Sequence, residues 1–312
     1  MNGSPLLYRL SPAGVLDVSG SDRTEFLQGL TTNDFRTLAP GGALWSAALS
    51  PTGKVLFSFR AASRGDRIRI LLAAGRVERA ASHFGKYAVF RDVRVEPPSP
   101  SFVRFDFYGP ESPAPRAEAE VWPPFFEHRA TWVVAEGDAG GVEAALLASG
   151  FRPIAEEEAE ARRIEAGRPA DGREVDETRT ADEAGLAGAV STAKGCYVGQ
   201  EVVARMRTYG RLPRRLVRFR FPGAPAREGE RLARIGEPDR EAGIVTSSAR
   251  SARSGPVGLG YAGRDVEDGE TLTVLGRKDA ERAGEPILAR VEPVEPSSER
   301  AVPAAGGPSK IA

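Results

Sequence analysis

The chain has 312 residues, 41% of them hydrophobic, enough for a packed core and about two domains at roughly 150 residues each. Lys plus Arg and Asp plus Glu both number 43, so the net charge is zero and the general basic footprint of a nucleic-acid-binding protein is absent. The single Cys forms no intramolecular disulfide, no stretch reaches the roughly 18–20 apolar residues of a membrane span, and the first residues lack the basic-then-apolar order of a signal peptide, so the expected setting is reducing and cytoplasmic.

In chain order, Val15-Leu16-Asp17-Val18 reads as a strand, and Ser19-Gly20-Ser21-Asp22 breaks it. Ser21 or Asp22 is positioned to cap the next helix, whose apolar face is Phe26, Leu27 and Leu30. Val55, Phe57, Phe59 and Ala61 alternate with Lys54, Leu56, Ser58 and Arg60, a period of two that predicts one strand with one apolar face. Ser50-Pro51-Thr52-Gly53 turns into it, Arg64-Gly65-Asp66 turns out of it, and Arg67–Ala73 is the partner strand. Arg76–Tyr87 predicts a helix, Val93–Val95 a short strand, and Val103–Phe107 another. The rest of 97–130 reads as a long loop.

Trp132–Ala135 and Val142–Leu147 predict a strand and a helix. Ala155–Gly167 is a helix with an acidic start and a basic end, the order that the helix dipole favours, and Gly167 can stop it in a left-handed turn. After Leu212-Pro213 the pattern shifts to short strands at Leu216–Phe221, Ala242–Ser247, Val257–Tyr261, Thr271–Leu275 and Ile287–Val291, which predicts a small barrel or sandwich. The expected division is 1–212 as an α+β region of two intertwined subdomains, 213–292 as a β unit, and 293–312 as a Pro/Ser/Ala/Gly-rich disordered tail.

Several chemistries can be set aside. Gly53-Lys54 is no phosphate-binding loop, because Ala48 and Val55 stand where that motif needs Gly and Ser/Thr. His83, His128 and Cys196 have no metal-ligand spacing, so no metal site is expected, and no Gly-x-Ser-x-Gly elbow occurs. The segment Lys194-Gly195-Cys196-Tyr197-Val198-Gly199-Gln200-Glu201 stands out. Two glycines four apart permit a sharp turn or a close backbone approach to a ligand. Lys194 can favour a thiolate at Cys196. On residue chemistry alone, a turn around a small buried hydrophobe remains the default for a lone Cys.

That segment, followed by Val202-Val203-Ala204-Arg205, closely resembles the signature of the YgfZ-type folate-binding proteins, within the superfamily of the glycine-cleavage T-protein, an aminomethyltransferase. Leu16–Gly20 with Phe26–Asp34 is similar to the superfamily's opening strand and helix, Arg163-Ile164-Glu165-Ala166-Gly167-Arg168-Pro169 to its second landmark, and Glu183–Leu186 to the stretch before the signature. The resemblance implies a three-part, cloverleaf-like α+β fold with a small C-terminal β-barrel and tetrahydrofolate in its central opening. It makes Glu165 the candidate acceptor for the pterin N–H edge and Arg205 and Arg207 candidates for the anionic glutamyl tail. Tyr197 and Gln200 are further candidates for contact with the cofactor, and Cys196 is the candidate reactive residue, placed beside the opening.

In one respect the chain departs from the transferases: their Asp in the strand after the first hairpin has no counterpart in Gly53-Lys54-Val55-Leu56-Phe57-Ser58-Phe59. The YgfZ branch is linked to assembly or repair of iron–sulfur enzymes, including those that thiolate tRNA. One Cys cannot hold a cluster that normally takes four ligands. Three readings follow: a folate-binding accessory factor for iron–sulfur proteins, a tetrahydrofolate-dependent aminomethyltransferase, and a tRNA-binding or tRNA-modifying protein. The last draws on the basic run Arg205, Arg207, Arg211, Arg214, Arg215, Arg218 and Arg220.

Overall fold

The structure, a computed structural model, describes residues 4–97, 101–210, 212–279 and 285–294. The chain opens with β1 (Leu6–Leu10), β2 (Gly14–Ser19) and helix α1 (Arg23–Leu30). Next come β3 (Ala43–Leu49), β4 (Val55–Arg64), β5 (Arg67–Leu72), α2 (Val77–Gly85) and β6 (Arg94–Glu96). A second run holds β7 (Phe102–Tyr108), β8 (Ala119–Trp122), β9 (Ala130–Ala135), α3 (Glu136–Ala148), β10 (Arg152–Pro153) and α4 (Glu156–Glu165). A largely irregular segment leads to α5 (Gln200–Tyr209). The last strands are β11 (Arg214–Arg220), β12 (Arg231–Arg234), β13 (Glu241–Ser251), β14 (Gly255–Gly263), β15 (Thr271–Asp279) and β16 (Glu285–Pro293).

These strands build two five-stranded sheets, ordered β3-β4-β5-β2-β6 and β10-β1-β7-β9-β8, and a closed barrel ordered β11-β14-β13-β12-β15-β16. The α+β, three-part expectation holds, and the choice between barrel and sandwich falls to the barrel. The first sheet is buried on both faces. One face packs against α1 and α2 through Phe26, Leu27, Phe57, Phe59 and Phe84. The other meets the second sheet through Val15, Ala62, Leu71, Trp122 and Val133. Helix α3 covers the far face of the second sheet through Ala139, Val142 and Leu146. Helix α4 lays Ile164 on Leu216, Val257, Leu259 and Tyr261 of the barrel.

The barrel is also tied to the rest by Glu174, which is fully buried. Its carboxylate accepts from Arg163 Nη1 (2.9 Å), the Ala170 amide (3.0 Å), Thr246 Oγ1 (2.6 Å) and Ser247 Oγ (2.6 Å). A buried charge with four donors is satisfied, whereas one stripped of its partners is costly.

Three local expectations change. Neither Ser21 nor Asp22 caps α1 with its side chain. Ser21 donates to Asp92 Oδ2 (2.8 Å from its hydroxyl) and Asp22 Oδ2 accepts the Asp92 amide (3.1 Å), so both side chains bind the chain entering β6 instead. The period-two reading of β4 breaks at its start. A β-bulge pairs Ala48 with Phe57 but Leu49 with Val55, so Val55 joins a different core from Phe57, Phe59 and Ala61. The loop expected across 97–130 contains β8, which pairs with β9. Gly167 does stop α4 at φ +70°, and the tail expected to be disordered lies, beyond residue 294, outside the described residues.

Candidate functional site

A cavity of about 250 Å³ lies between the two sheets and is lined further by α4 and the loop 168–171. Tyr8, Trp45, Phe59, Tyr108 and Phe125 give it aromatic walls, and Arg60, Arg104, Asp106, Glu160, Arg163, Arg168 and Asp171 bring charge. Among the described residues none of the barrel lines it. The volume is below the ~300–1,000 Å³ typical of pockets that enclose a whole drug-sized ligand. It suits a ring system whose remainder projects outward.

Most of the charge is already paired. Arg104 donates to Asp106 (2.8 Å), Arg163 binds Glu160 with two parallel bonds (both 2.7 Å), and Arg168 grips Glu127 (2.9 and 3.1 Å). Arg60 donates to the Pro123 carbonyl (2.8 Å) and lies 4.6 Å from the Phe125 ring centroid. Asp171 differs. Its Oδ1 accepts the Ser58 amide (2.9 Å) and its Oδ2 the Ser58 hydroxyl (2.8 Å). Burial pushes its carboxyl up to about 6, against the pull of the Ser58 bonds and of Arg76 and Arg79. The sequence shows only that β4 has no carboxylate of its own. That a loop residue 113 positions away sits on Ser58 is a tertiary fact with no local signal.

The signature segment is built differently. Gly199 adopts φ +81°, and a Cβ there would meet Ser50 O at 2.7 Å. Gly53, at φ +74°, would likewise collide with Val202 at 2.7 Å. The close approach that the glycines allow is therefore between the signature and the β3–β4 hairpin, not to a ligand. Gly195 faces open space. Lys194 does not serve Cys196. Its ammonium donates to the carbonyls of Gln28 (2.6 Å), Thr31 (2.6 Å) and Asn33 (2.8 Å), stapling the C-terminal end of α1. Burial lowers its pKa to about 8.

Tyr197 is a core residue, packed with Trp45, Leu49, Val55, Phe125 and Val203. Gln200 Oε1 accepts the Tyr197 amide (3.2 Å) and closes the turn. Cys196 is exposed, as expected of a thiol that is not packed, but it is not among the cavity-lining residues. Glu165 does not line the cavity either. It faces the barrel, where its carboxylate accepts from Ser251 Oγ (2.5 Å) and from Ser254 Oγ. Arg205 pairs with Glu201 (2.7 Å) on the exposed side of α5, and Arg207 binds Asp182 (2.7 Å). The rest of the basic run is compensated too: Arg214 by Glu241, Arg215 by Asp268, Arg218 and Arg220 by Glu292. Arg211 lies outside the described residues. Among the described residues no helix is long and apolar enough to cross a membrane, and no His/Cys/Asp/Glu group is arranged to hold a metal.

No family model matches the chain. Among solved structures it is similar to a glycine cleavage system aminomethyltransferase T from Bartonella henselae, with a TM-score of 0.82 over 94% of this chain and 86% of that one, at 19% identity. The fold is therefore that of this aminomethyltransferase T. Among curated proteins it is 28% identical over 317 residues to a protein named as a chloroplastic transferase from Arabidopsis thaliana, covering 93% of this chain and 72% of that one. It is 27% identical to an aminomethyltransferase of Rubrobacter xylanophilus (92% and 82% covered). It is 28% identical to the tRNA-modifying protein YgfZ of Yersinia pestis (79% and 81% covered). The chain is thus similar in sequence to an aminomethyltransferase and to a YgfZ protein, and shares the fold of an aminomethyltransferase T.

Proposed function

We propose that the cavity between the sheets holds tetrahydrofolate or a derivative, and that the protein is a folate-binding accessory factor for iron–sulfur cluster assembly or repair, acting on iron–sulfur enzymes that include tRNA-thiolating ones. The supporting observation is the cavity itself, lined by aromatic side chains and by carboxylates that include Asp171, in a fold shared with an aminomethyltransferase T. The folate-binding unit in this reading is 1–212, with the barrel 213–292 packed on α4 as its buttress. Cys196 is the functional thiol in this reading: it is exposed, and it lies in the segment that resembles the family signature. One thiol does not complete a cluster, so its role is transfer or redox chemistry with an iron–sulfur partner.

Calorimetric titration of the purified protein with tetrahydrofolate, kept anaerobic, is the direct test. Saturable one-site binding is expected, and its absence would sink the reading. Replacement of Cys196 by Ala in the host tests the second half. Iron–sulfur enzyme activities should fall, and unchanged activities would remove the thiol from the mechanism.

A second reading, a tetrahydrofolate-dependent aminomethyltransferase, is favoured by the R. xylanophilus relative and by Asp171, whose carboxylate rests on the β4 residue Ser58. Formation of methylene-tetrahydrofolate from an aminomethylated lipoyl carrier protein would support it. Direct tRNA binding finds less support, because the described arginines of the basic run are all ion-paired.

A further inference from the structure

The turn between α2 and β6 carries an apolar patch that the fold does not use. Among the described residues six large hydrophobic side chains are exposed, and three of them, Tyr87 (45%), Val89 (70%) and Phe90 (97%), fall within four consecutive positions. Phe90 is almost wholly in water although the chain on either side of it is anchored. Phe84 is fully buried, and Ala88, Val93 and Val95 pack against the core of the first sheet. Turns close the backbone between them: the Tyr87 amide donates to Phe84 O (3.0 Å), the Ala88 amide to Gly85 O (3.3 Å) and the Arg91 amide to Ala88 O (3.1 Å). Phe90 is therefore held outward on a built turn, and the chain forgoes the stabilisation that burying a phenyl ring gives. Clustered exposed apolar side chains of this kind mark interaction surfaces.

Charge decides what kind of surface would cover the patch. Lys86 and Arg91 bracket the apolar residues with no carboxylate between them, and neither side chain makes an ion pair or hydrogen bond among the described residues. The next acid along the chain, Asp92, is taken by the amide and hydroxyl of Ser21 (2.9 and 2.8 Å). The arginines of the basic run differ, because carboxylates of the chain itself answer them. A single strand of nucleic acid calls for a track of cations and successive aromatic platforms, and a lipid surface for a broad apolar face with a dense basic rim. One fully exposed ring beside a branched aliphatic, with a cation at each end, fits neither. It fits a protein interface, where aromatic anchors and Arg supply most of the binding energy. We propose that the α2–β6 turn is the docking surface for an acidic partner protein, whose apolar depression takes Val89 and Phe90 and whose rim carboxylates pair with Lys86 and Arg91. The inference goes beyond the cavity and holds whatever the cavity binds.

The test begins with the full chain in its host, carrying the photo-cross-linker p-benzoylphenylalanine in place of Phe90 or, for comparison, in place of the exposed Ile235. The protein cross-linked from position 90 and not from 235 is identified by mass spectrometry, purified, and used as the probe in titrations. It should bind Phe90→Ala about tenfold or more weakly than wild type. The double variant Lys86→Glu, Arg91→Glu should lose a similar factor and much of the salt dependence, and Lys in place of the partner's cross-linked carboxylates should restore its binding. Thermal melts of all variants should coincide with wild type, because the patch contributes nothing to the fold. Equal affinity of wild type and Phe90→Ala, or no rescue by the reversed partner, would overturn the proposal. A lower melting temperature for Phe90→Ala would also overturn it, by showing that the ring serves the fold. So would cross-linking no stronger at 90 than at 235, or only to other copies of this chain. Binding to phosphatidylglycerol vesicles, or a gel shift of host tRNA, that Phe90→Ala abolishes would assign the patch to lipid or to nucleic acid instead and overturn the protein partner.

Discussion

The signature segment 194–201 and the loop 168–174 make an instructive pair. Both lie between α4 and α5, both carry charged side chains, and both pack on the first sheet. In the signature, nearly every polar group serves the fold: Lys194 caps α1, Gln200 closes its own turn, and Gly199 fits the β3–β4 hairpin. Cys196 and Glu201 are presented outward. In the 168–174 loop the division is different. Glu174 is saturated with donors and binds the barrel, while Asp171, three residues earlier, retains acceptor capacity inside a cavity. The two regions meet at Trp45 and Phe125, which line the cavity and share a core with Tyr197. A distinctive motif can therefore be mostly scaffold, while a plainer loop places a carboxylate in the cavity.

The contrast can be broken at several points. The largest expected effect is on Glu174. Its replacement by Ala takes one of two carboxylates from the buried Arg163, which keeps Glu160, and leaves the Ala170 amide and the Ser247 hydroxyl without this acceptor; it should cost about 3–5 kcal/mol in denaturant unfolding. Lys194→Met leaves three carbonyls without their donor and should cost on the order of 3 kcal/mol, which would identify it as structural. A loss below about 0.5 kcal/mol would return Lys194 to the candidate chemistry.

Asp171→Asn should act in the opposite direction. The folded-state pKa of about 6 lies above the ordinary value of 3.8. The protonated carboxyl is thus favoured by folding, and that contribution is complete below about pH 4 and lost as pH rises through 6. Above pH 6 the ionised group weighs on the fold. The amide should then stabilise the protein by on the order of 2–3 kcal/mol at pH 8 and by almost nothing at pH 4, as read from melting curves across pH. A site that gives up stability to keep a carboxylate in its cavity is the pattern expected of binding chemistry. The smallest effects belong to the exposed side of the signature. Arg205→Ala should change stability by a few tenths of a kcal/mol, because its partner Glu201 is solvent-exposed. Cys196→Ala should change stability equally little while abolishing the thiol's effect on iron–sulfur enzymes.

Much of the fold was legible along the chain because local period and turn chemistry carry it. The strand at Val15–Val18, the helix ending at Gly167 and the strand-rich C-terminal unit follow from short-range patterns. Strand β3, Ala-Leu-Trp-Ser-Ala-Ala-Leu, was not legible, because all seven of its residues are buried and no alternation survives. Strands β8 and β12 were missed as short pieces of four residues each among polar loops.

The sequence by itself determined the class of fold and the resemblance carried by Lys194–Glu201, whereas the default for a lone Cys, a small buried hydrophobe, gave way to an exposed Cys196. Only the tertiary structure decided which polar groups are free. Lys194, Glu165, Arg205 and Arg207 are charged in any sequence reading, but long-range contacts commit each of the first two to the fold and pair the last two. Asp171 carries no local signal, and its place against Ser58 is set by the fold. The physical reason is that a side chain's chemistry is local, whereas its unused hydrogen-bonding capacity depends on every neighbour the fold brings to it.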